Sequence, residues 1–549
     1  MWKTVCLALA HAVLFVCAFP PIGFAQLAPF ALAPLAWLAI NARSTRRALP
    51  AVFLTQLAMW LWVSRWLIDI SVPGYPVLAA YMSVYPLLFA WIVRRAAVGR
   101  VTALWPMTAV VPVCWVAMEF LRGSVVAHGY PWFLLAHPMI EMPPLVQSAD
   151  LGGAYLVSLL VATVSGLLVD LGRMRVGRFG ALPLRICGIA VVAVHAANLA
   201  YGLWRTNQDH ASSSGPAMLV IQTNLPQSNK IKWGFEQQVE DCKVFFDQTV
   251  EAVESERSAG RQPDLVIWPE TMLPGLGLEP DSIAYLVAND LVPGALFSDS
   301  IAGLAEHLQT PLLAGSPAFL GLRVEDEEFR WDHQYNSAYL VTGDPPYQRY
   351  DKMFLTPFGE TMPYISAWPW LEQRLLALGA AGMSFDLDSN PDPHLIEIPW
   401  EGGQLTIPTP ICFEDTVAEV CRSMIHRDGG KRSAVFVNLS NDGWFGSHDA
   451  GREQHAQIAR FRCIENRVPM IRAANTGLSV AIDSNGRVVG SVGRGRYGEG
   501  RKPGHLAASL RLDQRRTLYG RIGDSWVWIC PVLTAVILTA TFTTTKAKG

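Results

Sequence analysis

Three residues of this 549-residue chain combine types and positions that could carry out covalent chemistry. Glu270 follows the β-branched run DLVIW in the stretch LVIWPET, Lys352 lies in RYDKMFLTPFGE, and Cys412 closes the run LTIPTPIC. A helical pattern, FEDTVAEVCRSMI, follows Cys412 at once. A thiol at a strand–helix junction lies near the positive end of the helix, which favours the thiolate. A lysine ammonium nearby favours it further, and a carboxylate can accept its proton during attack. The ammonium can also donate to a tetrahedral oxyanion, together with a backbone N–H such as that of Phe413. Taken singly, each has a bland reading. A lone Cys at a strand end is more often packed core, and a lone Glu or Lys in a loop is usually a solvated surface group.

Catalytic groups in layered α/β structure sit where strands end, so the surrounding elements matter. Beyond the polar linker ASSSGP at 211–216, short β-branched runs alternate with helical patterns. Strands are predicted at 217–222, 264–268, 337–341, 405–411, 434–440 and 478–483, and helices near 235–257, 296–308, 414–426 and 453–467. Such alternation implies a layered α/β domain with its sheets covered by helices.

The remainder is of another kind. Hydrophobic residues make up 51% of the chain and charged residues 16%, against roughly 25% charged in soluble domains. From Met1 to Arg205 there are 14 Lys/Arg and five acids, and the other 41 of the 46 acids lie beyond. Apolar stretches long enough for membrane helices fall at about 4–19, 24–41, 49–68, 76–93, 101–121, 146–170, 183–204 and 524–543. The first resembles a signal peptide, but further apolar segments follow at once, so an uncleaved span is expected. Glu119 and Arg122, spaced i,i+3 at the end of the fifth stretch, could pair there. The segment 128–145, broken by four prolines, is predicted to be interfacial or re-entrant rather than a span. With the N-terminus in the cytoplasm, almost all Lys and Arg between spans fall on that side, a positive-inside pattern. Seven spans then place the α/β part on the far side of the membrane, and an eighth returns the C-terminus. The expected domains are 1–210 helical, 211–515 α/β, and 516–549 a last helix and tail.

Several functions are disfavoured. The net charge of −2 points to no partner class, and no basic, aromatic-studded stretch suggests nucleic acid. The nine cysteines contain no CxxC pair, against a zinc site or a disulfide framework. No GxSxG, HExxH or Walker-type loop occurs.

LVIWPET, RYDK-x3-TPFGE-x2-P and PxICFED, in this order, resemble the three catalytic signatures of the nitrilase superfamily. Downstream, FVNLSNDGWFG and EQHAQIARFRCIENRVPMIRAANTG are similar to the corresponding region of apolipoprotein N-acyltransferases, as are EFLRG, GYPW and a helix with Gly152-Gly153. The resemblance covers nearly the whole chain. It implies about eight transmembrane helices joined to a nitrilase-like α-β-β-α sandwich, with Glu270 as general base, Lys352 as transition-state stabiliser and Cys412 as nucleophile, and no cofactor or metal. Glu360 and Glu414 match further family carboxylates, although Glu414 equally suits a first-turn helix acid. Trp233 matches a tryptophan that lines the substrate path. Where many members have Tyr after the nucleophile, this chain has Phe413, so any hydrogen bond from that phenol is in doubt.

The activity implied is transfer of an acyl group from a phospholipid, through a thioester on Cys412, to the amine of a diacylglyceryl-cysteine lipoprotein. The implied place is the bacterial inner membrane with the active site on the periplasmic side. A monomer is expected. Trp368-Pro369-Trp370-Leu371 could dip into the interface or be an ordinary surface loop. Asn438, Ser440, Asn441 and Asp442 are expected to wall the pocket, His455 and Arg462 to be structural partners, and Cys421 and Cys463 to be core. Two alternatives stand beside this reading: a membrane-anchored amidase that hydrolyses its thioester, and a transporter or scaffold with an inactive nitrilase-like domain.

Overall fold

A computed structural model describes residues 2–42, 45–99, 101–208, 212–226, 233–365, 368, 370, 374, 387–400, 403–427, 430–495 and 497–543. The chain divides into two compact units. The first comprises Met1–Asp209, Ser447–Phe461 and Thr517–Gly549, and the second His210–Gly446 and Arg462–Arg516. Ser447–Phe461, inside the region read as α/β from sequence, is therefore grouped with the helical unit.

The first unit is built of apolar helices. Among the described residues, Gly74–Val98, Met107–His128, Ala149–Arg175 and Ala181–Thr206 are long and apolar enough to cross a membrane. Trp2–Ala18, Ala25–Asn41, Ala48–Val63 and Ser525–Thr541 are shorter apolar helices. Ala181–Thr206 shows why these are not helices of a soluble core. It leaves Leu182, Ile186, Ile189 and Val192 exposed, an outward apolar face that only hydrocarbon would solvate.

Several charges in this unit are held by hydrogen bonds. Asp170 accepts from the Thr108 N–H and hydroxyl at 2.8 Å and pairs with Arg173 at 2.7 Å, placing an anion at the positive start of Met107–Phe120. Asp150 pairs with Arg205 at 2.6 Å. The Glu119–Arg122 pair that the spacing allows does not form. Each partner turns instead to the proline-broken segment, buried over 131–140, which runs as irregular backbone, a 3-10 turn and the single helical turn Pro143–Val146. Arg122 donates to the Tyr130 and Trp132 carbonyls at 3.0 and 2.6 Å. Glu119 accepts the Leu135 N–H at 2.7 Å, and Ser158 accepts that of Ala136 at 3.0 Å. Non-helical backbone in a hydrocarbon environment needs such partners, and these groups supply them.

Helix Ala149–Arg175 is broken near its start, where Gly153 has φ +69° and ψ −174°. A side chain there would meet the Tyr519 ring at 2.7 Å, so both backbone and space require glycine.

The second unit is a sandwich of two sheets. The larger has strand order Gly504–Ser509, Ala217–Gln222, Leu265–Ile267, Leu312–Leu320, His333–Val341, Gln348–Asp351. Its middle strands Ala217–Gln222, Leu265–Ile267 and Leu312–Leu320 are parallel and the outer pairings antiparallel. The smaller runs Phe436–Ser440, Met470–Ala474, Val480–Ile482, Val488–Ser491, with the first pair parallel. Strands Ala217–Gln222 and Met470–Ala474 pack face to face. Helices Phe235–Ser258 and Leu296–Leu308 cover the larger sheet over a core that includes Phe245, Trp268, Phe297 and Ile301. The nitrilase-like α/β architecture is therefore present.

Two predicted elements differ. The strand expected at 405–411 stops at Ile407. Pro408 and Pro410 have no N–H to continue a ladder, but their carbonyls accept from Val437 and Leu439 at 2.9 and 3.3 Å, so the segment still runs beside Phe436–Ser440. The helix expected at 414–426 is split into a 3-10 turn, Cys412–Thr416, and a helix, Ala418–Ile425, by the extended Val417.

Candidate active site

The turn that begins at Cys412 holds its first residue in an unusual conformation. Cys412 has φ +52°, a left-handed geometry that costs a non-glycine residue of order 1 kcal/mol. Side chains on both flanks hold it there. Glu414 accepts the Ile411 N–H at 2.7 Å, and Asn438 donates to the Pro410 and Cys412 carbonyls at 2.9 and 3.5 Å. The expected helix-end stabilisation of a thiolate is not realised. The turn is only five residues long and is separated from the following helix. Burial pushes the thiol well above its ordinary range, the negative charge of Glu270 adds to this, and Lys352 only partly offsets it. This favours the protonated thiol over the thiolate at Cys412.

Glu270 lies three residues past strand Leu265–Ile267 and is buried. Its two oxygens accept from Asn336 Nδ2 at 2.8 Å and from the Asn441 N–H at 2.9 Å. Burial raises its pKa, Lys352 opposes this, and Glu360 adds to it. The carboxylate is thus aligned by two donors and more basic than a surface glutamate, as a proton acceptor should be.

Lys352 sits one residue past strand Gln348–Asp351, fully buried. Its N–H donates to the Asn336 carbonyl at 2.9 Å. Its ammonium donates to both Glu360 oxygens, at 2.8 and 2.7 Å. Burial disfavours the cation, but the Glu360 and Glu270 anions outweigh it and raise the pKa. Glu360 stays ionised for the converse reason: burial opposes its charge, and Lys352 with the Thr356 N–H overcomes that and lowers its pKa. The charges of Glu270, Lys352 and Glu360 all act on Cys412.

Glu414 is buried in the Cys412 turn. One oxygen accepts from the N–H groups of Met353 and Phe354 at 2.6 and 2.9 Å; the other accepts from Ile411 and from the Tyr350 hydroxyl at 2.8 Å. It ties the segment around Lys352 to the turn of Cys412, more than a first-turn helix acid would do. Burial pushes its pKa up to about 7 against the pull of Lys352 and these donors. Phe413 is buried, its ring lying parallel to that of Phe354 at 6.2 Å. The Trp233 indole donates to Asp241 at 2.9 Å, pinning it to helix Phe235–Ser258. The structure therefore brings together Glu270, Lys352, Cys412, Glu360, Glu414 and Phe413, and holds Trp233 on the covering helix. Of the tetrapeptide at 368–371, Trp368 and Trp370 are exposed; Pro369 and Leu371 lie outside the described residues.

Sequence reasoning passed over Asn336, Tyr350 and Arg472 and gave Asn441 only a wall. Asn336 touches Glu270 and, at 3.5 Å, Glu360. Arg472 has no exposed surface and bonds to Asp415, Asn438, Ser440 and Asp442. A signal existed for Arg472: an arginine inside the apolar run PMIRAA needs buried acceptors if the run is a strand. Arg462 donates to the Thr416 carbonyl at 3.1 Å and pairs with Glu465; His455 packs on Trp132 at 5.5 Å. Cys421 and Cys463 are fully buried.

Residues 11–167 match the family model of the apolipoprotein N-acyltransferase N-terminal domain, and residues 234–500 match that of carbon-nitrogen hydrolases. The apolipoprotein N-acyltransferase of Geobacter metallireducens is 30% identical over 552 residues, covering 98% of this chain and 95% of that protein. This chain belongs to the apolipoprotein N-acyltransferase family. The Vibrio cholerae apolipoprotein N-acyltransferase is 27% identical, covering 87% of each chain. Among solved structures, an amidase from Nesterenkonia sp. aligns at 18% identity with a TM-score of 0.34, over 57% of this chain and 97% of that one. Membership makes the chain an acyltransferase of the carbon-nitrogen hydrolase superfamily carrying apolar helices of a membrane protein.

Proposed function

We propose that the chain moves a fatty acyl group from a phospholipid to the amine of a diacylglyceryl-cysteine lipoprotein, by way of a thioester on Cys412. The observation that supports this most directly is the separation of roles among buried charges. Lys352 is engaged by both oxygens of Glu360, while Glu270 is aligned by Asn336 and Asn441 and its pKa is raised by burial despite the pull of Lys352, beside a thiol that burial also raises.

Glu270 takes the Cys412 proton as sulfur attacks the ester carbonyl. The C–O double bond becomes an oxyanion, which Lys352 and the Phe413 N–H stabilise; removing one such donor costs about 10²–10³ in rate. The C–O bond to the glycerol breaks, the leaving oxygen takes the proton from Glu270, and the lysophospholipid departs. The lipoprotein amine then attacks the thioester, Glu270 accepts its proton, the C–S bond breaks, and the thiol is regenerated by that proton. Glu360 orients Lys352, and Glu414 sets the spacing between Lys352 and Cys412. Trp233 contributes to the acyl-chain path.

Both substrates are lipids, each retained in a bilayer by about 0.8 kcal/mol per buried CH₂, which fits a catalyst built onto apolar helices. The positive-inside charge pattern supports the bacterial inner membrane with the active site on the periplasmic side. All the catalytic groups come from one chain, so a monomer suffices.

Purified enzyme given a phospholipid with a radiolabelled acyl chain acquires hydroxylamine-sensitive label. Cys412→Ala does not, and a diacylglyceryl-cysteine peptide removes the label as an amide. Release of the label as free fatty acid in the presence of the peptide would show hydrolysis instead.

A further inference from the structure

Arg472 lies in the middle of strand Met470–Ala474 with no exposed surface. Its two terminal nitrogens reach four residues. Nη1 donates to Asp415 Oδ2 at 2.7 Å and to Asn438 Oδ1 at 2.8 Å. Nη2 donates to both Asp442 oxygens, at 2.7 and 2.8 Å, and to the Ser440 hydroxyl at 3.2 Å. The two carboxylates are themselves buried.

Each partner leads to a reacting group. Asp415 is in the five-residue turn that begins at Cys412. Asn438, with its oxygen on Arg472, presents its nitrogen to the Pro410 and Cys412 carbonyls at 2.9 and 3.5 Å. Its amide orientation is thereby set, because the reverse orientation would face N–H with N–H and oxygen with oxygen. Asp442 follows Asn441, whose N–H is on Glu270 at 2.9 Å. One planar cation therefore spans the turn of Cys412, the Asn438 amide that holds the carbonyls flanking its left-handed residue, and the loop that supplies a donor to Glu270.

We propose that Arg472 is a positioning residue of this site, setting the Cys412 turn and the Glu270 donor in one geometry while touching neither reacting atom. The proposal rests on the acyl-transfer reading for its effect on turnover, and not for its effect on the thiol. A lysine would keep the charge and lose the fork, since a single ammonium cannot present paired N–H groups to two carboxylates and an amide. A small misplacement of reacting groups by a change away from the chemistry can cost about 100-fold in rate.

The test uses the full chain in detergent, with Arg472→Lys and, as a second variant, Asp442→Asn, which leaves Arg472 on Asp415 and Asn438. Two rates are read: thioester formation from a labelled phospholipid, and alkylation of Cys412 by iodoacetamide. Alkylation is scored by peptide mass spectrometry because the chain has nine cysteines. Arg472→Lys is expected to lower kcat for thioester formation by up to about 100-fold with the lipid KM changed less than twofold, and to slow alkylation while moving its pH midpoint. Asp442→Asn is expected to lower the same kcat about tenfold, with its acid limb at higher pH. If Arg472→Lys lowers only the melting temperature and leaves kcat, alkylation rate and pH midpoint as in wild type, the proposal is overturned. If Arg472→Lys does not fold, wild-type kcat and pH profile in Asp442→Asn overturn it. Wild-type protein that alkylates at Cys412 but forms no thioester refutes the acyl-transfer reading, and the alkylation measurements still decide Arg472.

Discussion

Tyr350 and Glu414 hydrogen-bond at 2.8 Å, and the Glu414 oxygen that receives the phenol also receives the Ile411 N–H at 2.7 Å. The strand that precedes Lys352 and the turn that begins at Cys412 thus share one carboxylate atom. The other oxygen binds the chain just after Lys352, so the ammonium and the sulfur cannot drift apart independently.

Replacement of Glu414 by Gln should therefore act on both rate and stability. A glutamine offers one oxygen to four donors, leaving buried N–H groups unpaired at about 1–3 kcal/mol each, and kcat for thioester formation should fall at least tenfold. The pH dependence has a definite sign. The folded pKa of Glu414, about 7, lies above its ordinary value, so the folded state holds its proton more tightly than the unfolded chain. Its contribution is fully present below the unfolded pKa and is lost as pH rises through about 7. The stability advantage of wild type over Glu414→Gln, measured by denaturation in detergent from pH 4.5 to 8, should shrink as pH rises; an increase would contradict this account.

Glu270 must be ionised to accept a proton, so thioester formation should fall away on the acid side at a pH above that of an ordinary glutamate, since burial raises this group. Asn336 donates to the charged form. In Asn336→Ala that donor is gone, the pKa rises further, and the acid limb should move to higher pH with lower kcat below neutrality. Glu270→Gln should form no thioester at any pH. Single-turnover rates across pH 4.5–9 check all three.

At Phe413 the buried ring faces Phe354 in a parallel arrangement, and Glu414 already receives its hydroxyl from Tyr350. Phe413→Tyr is therefore expected to change kcat less than threefold, because the proposed mechanism uses only the backbone N–H at this position. A tenfold gain would show that a phenol there does chemistry this chain lacks.

In the helical unit, Arg122 supports the proline-broken segment through the Tyr130 and Trp132 carbonyls. Arg122→Leu should leave those carbonyls without their donor, destabilising the protein by about 2–4 kcal/mol, while Arg122→Lys should recover part of the loss. Thermal unfolding and yield of membrane-inserted protein measure this, and equal yields for all three would show that other donors take over.

Much of the architecture was legible because its causes are local. Continuous apolar stretches marked the helices of the first unit, and the run AMLVIQ marked a central strand at the residues it occupies, Ala217–Gln222. Strand Met470–Ala474 was missed because its arginine reads as a surface residue until Asp415 and Asp442 are brought to it. Pro408 and Pro410 misled in the opposite direction, since carbonyls alone can continue a pairing that the chain's own N–H groups cannot.

The sequence by itself determined which residue types stand at strand ends, where the apolar spans fall, and that a glutamate, a lysine and a cysteine occur in stretches resembling three known signatures. Only the tertiary structure decided their electrostatic states and their supports. Glu270 receives Asn336 across 66 positions and Asn441 across 171, and Glu119 turns from nearby Arg122 to Leu135. The reason is physical: hydrogen-bond partners and desolvation depend on distances in space. No periodicity or spacing encodes how far burial outweighs a nearby charge, and that balance raises both the Cys412 thiol and the Glu270 carboxyl above their ordinary ranges.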